Sequence, residues 1–159
     1  MNRVYLALGR NLNNPVKQVN IALDALSKIN NTNLIKVSNF YRTLPLGSLN
    51  QKDYLNAAVA MDTNLQPQEL LKKINQIELK QGRIRTINRW IPRIIDIDIM
   101  LYGNLIINTN SLVIPHYAMN NRAFMLVPLL EIAPEVILPD GISIIRRLKN
   151  LDTNKINLW

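Results

Sequence analysis

Residues 95–101 read Ile-Asp-Ile-Asp-Ile-Met-Leu, and this strict alternation is the feature that most constrains the fold. In a β-strand, neighbouring side chains point to opposite faces and residues i and i+2 share one. Asp96 and Asp98 therefore point together, with Ile95, Ile97 and Ile99 on the other side. A strand of this kind must lie in a half-buried sheet. Two adjacent carboxylates there repel each other, and burying them unpaired is costly. A divalent cation removes both problems. Just upstream, Arg83, Arg85, Arg89 and Arg93 surround Trp90. Guanidinium groups bind phosphate oxygens in a planar fork, so an acid pair beside an arginine cluster reads as metal–nucleotide chemistry. Spacing alone equally allows a solvated strand face next to a basic loop.

The chain has 159 residues, 48% of them hydrophobic, enough for one domain spanning 1–159 with its own core. A net charge of +8 favours an anionic partner. With no cysteine, disulfides and thiolate metal sites are excluded. The opening residues, MNRVYLALGRN, contain no apolar stretch long enough for a signal peptide or membrane span, so a cytoplasmic protein with no membrane partner is expected.

Along the chain, Arg3–Leu8 alternates as a strand ending at Gly9. Asn14-Pro15 reads as an N-cap followed by proline at the first helical position, and Val19, Ala22, Leu23, Leu26 and Ile29 form an apolar stripe. Leu34–Thr43 is expected as one strand, Leu44–Asp53 as a loop, and Tyr54–Thr63 as a further strand. Pro67 opens a second helix with Leu70, Leu71, Ile74 and Ile77 on one face, ended by Gly82. After the Asp96/Asp98 strand, which runs to Tyr102, a short strand is expected at Leu105–Ile107. The order β-α-β-β-α-β predicts an α+β, ferredoxin-like core, a mainly antiparallel sheet with helices packed on it. A C-terminal extension adds a helix near Arg122–Leu130, a Pro139-Asp140-Gly141 turn and a short basic helix.

That arrangement also hosts RNA-binding modules, but no segment matches their K/R-G-F/Y-G/A-F-V-x-F/Y strand pattern, and paired aspartates would repel a nucleic-acid backbone. No nucleic-acid partner is expected. Gly9-Arg10-Asn11 lacks the second glycine and the Lys-Ser/Thr of a P-loop. The lone His116 and the aromatics Tyr54 and Phe124 have an ordinary reading as core or surface residues. Asn75 and Glu78 are i, i+3 helix neighbours, which is commonplace.

Taken together, many segments resemble 6-hydroxymethyl-7,8-dihydropterin pyrophosphokinase. They include Phe40-Tyr-Arg-Thr43, Pro45-Leu-Gly47, Asp53-Tyr-Leu-Asn-Ala-Ala58, Gln81-Gly-Arg83, Arg89-Trp90, Pro92-Arg93, Asp96-Ile-Asp-Ile-Met-Leu101, Pro115-His-Tyr117 and Asn121-Arg122 with Phe124-Met-Leu126. The resemblance implies a magnesium-dependent enzyme of folate biosynthesis, a diphosphotransferase that moves pyrophosphate from ATP to the hydroxymethyl group of 6-hydroxymethyl-7,8-dihydropterin and releases AMP. It implies a monomer with two Mg²⁺ ions on Asp96 and Asp98, and catalytic roles for Arg83 and Arg93 in neutralising charge on the transferring group. Asn75, Glu78, Arg85, Arg89, Trp90, Ile99, His116, Tyr117 and Arg122 would bind ATP. Tyr54 and Phe124 would stack on the pterin, with Thr43, Leu44, Leu46 and Asn56 at its polar edge.

The chain departs from the family pattern at Arg10, Leu44, Asn75, Ile91, Ser111, Val113, Ala118 and Ala123. None of these removes a proposed metal ligand or catalytic arginine. The expectation is a working enzyme with weaker ATP binding, and the alternative is a decaying copy.

Overall fold

A computed structural model describes residues 1–11, 14–44, 53–82 and 95–159. The longest strands are β1 (Asn2–Arg10), β4 (Tyr54–Thr63) and β5 (Asp96–Tyr102). Two shorter strands, β2 (Thr32–Val37) and β3 (Tyr41–Thr43), lie along successive stretches of β4, and β8 (Ile156–Leu158) adds to the outer side of β3. The sheet order is β5-β1-β4-β3-β8, and all of these pairings are antiparallel. A separate small hairpin joins β6 (Ile107–Asn108) to β7 (Val113–Ile114).

Helices cover both faces of this sheet. The helices α1 (Pro15–Ser27) and α2 (Pro67–Lys80) present the apolar stripes expected from the sequence. Val19, Ala22, Leu26, Leu70, Ile74 and Ile77 pack on Val4, Leu6, Leu8, Ile95, Ile97 and Ile99. The opposite face carries α3 (Ala123–Ile132), whose Met125, Leu126, Leu129 and Ile132 bury Tyr5, Ala58, Ala60 and Leu101. A strand buried on both faces has no polar side, which is why β4 reads as a nearly continuous run, Leu-Asn-Ala-Ala-Val-Ala-Met, and α3 is apolar almost all round. The short helix α4 (Ile144–Leu148) follows, opened by the Ser143 hydroxyl, which accepts from the Arg146 amide.

Four expectations change. The single strand at 34–43 is broken: Ser38–Phe40 leaves the ladder, and the Ser38 hydroxyl accepts from the Ala58 amide at 2.9 Å, substituting for a lost rung. The first strand does not stop at Gly9 but continues through Arg10. Asn14 precedes α1 without a side-chain capping bond. It has φ 51° and ψ 56°, and asparagine tolerates this left-handed geometry better than most residues. The short strand placed at 105–107 lies instead at Ile107–Asn108, because its partner is Val113–Ile114. Strand β8 has no expected counterpart in the sequence. The elements seen are those of an α+β protein, an antiparallel sheet with helices packed on it.

Candidate functional site

The site grows from the register of three strands. Asp98 lies opposite Ala7, which lies opposite Ala58; Asp96 lies opposite Gly9, which lies opposite Asn56. Side chains of directly paired residues project to one face. Asp96 and Asp98 therefore stand at one side of a floor made of Ala7, Gly9 and Ala58; Ala58 is buried under α3, and Ala7 and Gly9, nearer the acids, are only partly buried. Their isoleucine neighbours Ile95, Ile97 and Ile99 are buried on the other face, against α1 and α2. Across the floor, Asn56 is 7% exposed and donates from Nδ2 to the Thr43 hydroxyl at 2.9 Å. A methyl group on Gly9 would lie 3.4 Å from the Asn56 Oδ1, in van der Waals contact, so Gly9 and the Asn56 amide are neighbours on this face. Thr43 pairs with Tyr54, which is 39% exposed.

The rim comes from residues 114–124. The His116 amide donates to the Met100 carbonyl at 3.0 Å, fastening this segment to β5, the edge strand of the sheet. His116 Nδ1 accepts from the Ala118 amide at 3.2 Å, which leaves Nε2 to carry the proton of the neutral ring. That Nε2 faces Asp98 Oδ1 at 3.9 Å. Burial lowers the His116 pKa below its ordinary value, Asp98 opposes the shift, and the Arg122 charge adds to it. On balance these favour the neutral ring. The His116 and Tyr117 rings are stacked, 4.7 Å apart. The Arg122 guanidinium sits 5.9 Å from the Tyr117 ring and 5.7 Å from the Phe124 ring. His116, Tyr117, Arg122 and Phe124 form a series of flat groups leading away from Asp98, and Tyr117 is 73% exposed. Phe124 itself packs against the core under α3.

Other candidates lie on the far side of β5. Glu78 on α2 is 2% exposed and accepts the Ile97 amide of this edge strand at 3.3 Å. Asn75 sits one turn earlier on the same helix, half-buried. Ile99 is 4% exposed, its side chain belongs to the core and its backbone pairs with Leu6. Leu44 follows β3 directly, and its amide donates to the Lys155 carbonyl at 3.4 Å. Arg83, Arg85, Arg89, Trp90, Arg93 and Leu46 lie outside the described residues, as does Ile91. Arg10 is 6% exposed, and its pKa is lowered by burial. In register with Leu55, it belongs to the face covered by α1 and α2 rather than the carboxylate face.

Among the described residues no group of three or more His, Cys, Asp or Glu side chains is placed to hold a metal ion. The donor set at Asp96 and Asp98 is two carboxylates on one face. That matches a hard cation which keeps waters and shares its remaining positions with phosphate oxygens, the habit of magnesium.

Residues 5–134 match the family model described as 7,8-dihydro-6-hydroxymethylpterin-pyrophosphokinase (HPPK). The chain belongs to the HPPK family. Its relatives include the 2-amino-4-hydroxy-6-hydroxymethyldihydropteridine pyrophosphokinase of Haemophilus influenzae, 47% identical over 152 residues, covering 96% of this chain and 94% of that protein. The Pseudomonas aeruginosa protein of the same name is 47% identical over 139 residues, covering 87% and 85%. A crystal structure of Plasmodium falciparum HPPK-DHPS superimposes with a TM-score of 0.72 at 18% identity, over 94% of this chain and 43% of that one. At that identity the likeness speaks for the fold, and this chain spans less than half of that larger protein.

For an HPPK chain, the residues that sequence reasoning did not single out are informative. Ala7, Gly9 and Ala58 carry no chemistry of their own, and only their register beneath the carboxylates gives them a role. Glu131 on α3 accepts the Tyr41 hydroxyl at 2.5 Å, the Asn39 amide at 2.8 Å and the Asn39 side chain at 3.2 Å. It ties the helix bearing Phe124 to the strand bearing Thr43. No local pattern marks Glu131, because its partners lie some 90 residues earlier.

Proposed function

We propose that this chain transfers pyrophosphate from ATP to the hydroxymethyl group of 6-hydroxymethyl-7,8-dihydropterin, yielding AMP and the pterin diphosphate for folate biosynthesis. The observation that carries this reading is the shared floor. In a chain of the HPPK family, Asp96 and Asp98 stand on one sheet face with Asn56, Thr43 and Tyr54 across from them. The flat series from His116 to Phe124 rises beside the acids. We read the order β1-α1-β2/β3-β4-α2-β5 as a ferredoxin-like core with a C-terminal extension, one domain over 1–159, working as a cytoplasmic monomer.

In this reaction the pterin hydroxyl oxygen forms a bond to the β-phosphorus, the bond from that phosphorus to the oxygen bridging to the α-phosphate breaks, releasing AMP, and the hydroxyl proton is given up to water or to the departing phosphate. Asp96 and Asp98 would hold two Mg²⁺ ions, whose chemistry is to neutralise charge on the phosphates. His116 Nε2 faces Asp98 at 3.9 Å, close enough to act on that carboxylate electrostatically. Tyr117 offers an open ring face and Arg122 a cation between the nucleotide and the pterin. Phe124 and Tyr54 stack on the flat pterin, while Asn56 and Thr43 meet its polar edge. Asn75, Glu78, Ile99, Arg85, Arg89 and Trp90 complete the nucleotide contacts that the family resemblance implies. Leu44 and Leu46 complete the pterin side. Arg83 and Arg93 act on charge that develops during transfer, the positioning-plus-electrostatics mode of phosphoryl chemistry.

Incubating the protein with ATP, Mg²⁺ and the hydroxymethyl dihydropterin tests this. AMP and a pterin diphosphate are expected. ADP with a pterin monophosphate would refute the reading, and tight ATP binding without turnover would support a decaying copy instead.

A further inference from the structure

Strand β3 is three residues long, yet Thr43 and the following Leu44 are both assigned above to the pterin edge. One of its sides is held by β4 and the other by β8, where Tyr41 pairs with Leu158, Arg42 with Asn157 and Thr43 with Ile156. The contact extends beyond the ladder at both ends. The Trp159 amide donates to the Phe40 carbonyl at 2.8 Å, and the Leu44 amide donates to the Lys155 carbonyl. Residues 155–159 thus run along β3 from Phe40 to Leu44. They lie outside the stretch that matches the family model, which ends at residue 134.

The side chains add a brace behind the sheet. Alternation puts Thr43 and Tyr54 on the carboxylate face and Arg42 and Leu55 on the opposite one. There the Arg42 guanidinium lies 4.0 Å from the centroid of the Trp159 ring and donates to Asp53 Oδ2 at 3.0 Å. Asp53 immediately precedes Tyr54, and Arg42 immediately precedes Thr43. One arginine therefore fastens together the two chain segments directly behind two proposed pterin contacts, and the Trp159 ring covers it. Trp159 in turn reaches the first turns of α1, lining a recess with Pro15, Val16 and Ile21.

We propose that Trp159 and Arg42 are positioning residues for the pterin. Together with β8 they hold Thr43, Leu44 and Tyr54 in register, so that the flat substrate meets a preformed edge. This rests on the pterin reading above. An unbraced three-residue strand would spend part of its time out of register, and the fraction lost would come directly off the apparent pterin affinity. The nucleotide side, built on β5 and residues 114–122, lies at the opposite edge of the sheet from β8.

The test is calorimetry of the dihydropterin in the presence of Mg²⁺ and a non-hydrolysable ATP analogue, with the analogue alone as a second titration. Trp159→Ala should weaken pterin binding about two- to fivefold, the fold-change equivalent of an exposed cation–π contact. Affinity for the analogue should stay at the wild-type value. Trp159→Phe keeps an aromatic face and should recover most of the loss. Arg42→Lys keeps the charge facing Asp53 but loses the planar group over the ring, and should show the loss. Amide exchange at Thr43 and Leu44 should quicken in Trp159→Ala while core amides on β1 stay protected. Wild-type pterin affinity in Trp159→Ala, or equal losses of pterin and analogue, would overturn the proposal. Should Trp159→Ala not fold, the pair Trp159→Phe and Arg42→Lys decides, with retention in the first and loss in the second expected, and the reverse refuting. A wild-type protein that binds the analogue but no pterin would instead refute the functional reading itself.

Discussion

The hydrogen bond from Tyr41 to Glu131 yields a pH-dependent prediction. The Tyr41 pKa is raised from 10.0 to about 12, first because burial disfavours the phenolate and second because the hydroxyl donates to the Glu131 carboxylate. The folded state therefore holds the proton more tightly than the unfolded chain. A group whose folded pKa is raised contributes stability that is complete below the unfolded value and disappears as pH climbs to the folded one. For Tyr41 that window runs from about 10 to about 12. A hydrogen bond to a charged acceptor contributes about 1.5–3 kcal/mol when well buried. Tyr41 and Glu131 are both half-buried, so solvent screening brings the expected figure down to about 1–2 kcal/mol. Tyr41→Phe should lose this amount in urea unfolding at pH 7. Glu131 would keep its two bonds from Asn39, so no charge is orphaned by the change. As pH rises past 10 the wild type should lose its advantage, and the two unfolding curves should converge by about pH 12. Glu131→Gln, which keeps an acceptor without the charge, should shrink the effect. Curves for wild type and Tyr41→Phe that stay parallel from pH 7 to the alkaline limit would refute the reasoning.

Further outcomes are expected at the site. Asp96→Asn and Asp98→Asn should each abolish most pyrophosphate transfer while leaving the fold as stable or slightly more so without metal, since carboxylate repulsion is relieved; unchanged rates at limiting Mg²⁺ would remove the metal assignment. Arg83→Ala and Arg93→Ala should lower kcat more than they raise the ATP KM, whereas Arg122→Ala should act chiefly on KM. Phe124→Ala and Tyr54→Ala should weaken pterin binding by about 1–3 kcal/mol, the scale of one lost aromatic stacking partner, and calorimetry showing no change would return both to the role of packing residues. Glu78→Ala should cost about 1–3 kcal/mol in urea unfolding, because the Ile97 amide loses a buried acceptor, with Glu78→Gln recovering most of it.

Elements with long periodic patterns were legible in the sequence. The Asp96–Tyr102 strand and the helices beginning at Pro15 and Pro67 fall where alternation or a 3.6-residue stripe places them, and the Tyr54–Thr63 strand falls on its nearly continuous apolar run. Short elements were not. Strands β6, β7 and β8 have two or three residues each, too few to carry a period, and they exist only because a partner backbone lies alongside. The break at Ser38–Phe40 was hidden for a related reason. It falls inside a stretch with strand-like ends, and its partners are distant in the chain: Ser38 exchanges bonds with Ala58 through its amide and its hydroxyl, while the Asn39 amide turns to Glu131.

The candidate site divides along the same line. Period two was enough to put Asp96 and Asp98 on one face and their isoleucine neighbours on the other, because that fact is local to one strand. The small residues Ala7 and Gly9 beside the acids, and Asn56 across from them, depend on the register of β5 on β1 and of β1 on β4. Register is a property of pairs of strands, set by which apolar faces must be buried together. His116 meets Asp98 only because its amide is hydrogen-bonded to the edge of β5, and Arg42 meets Trp159 only because β8 returns to pair with β3. Sequence by itself determined the chemistry of each group and the face of its own element. The tertiary structure decided which groups face one another, because contacts between residues far apart in the chain are selected by burial of the whole core and leave no local signature.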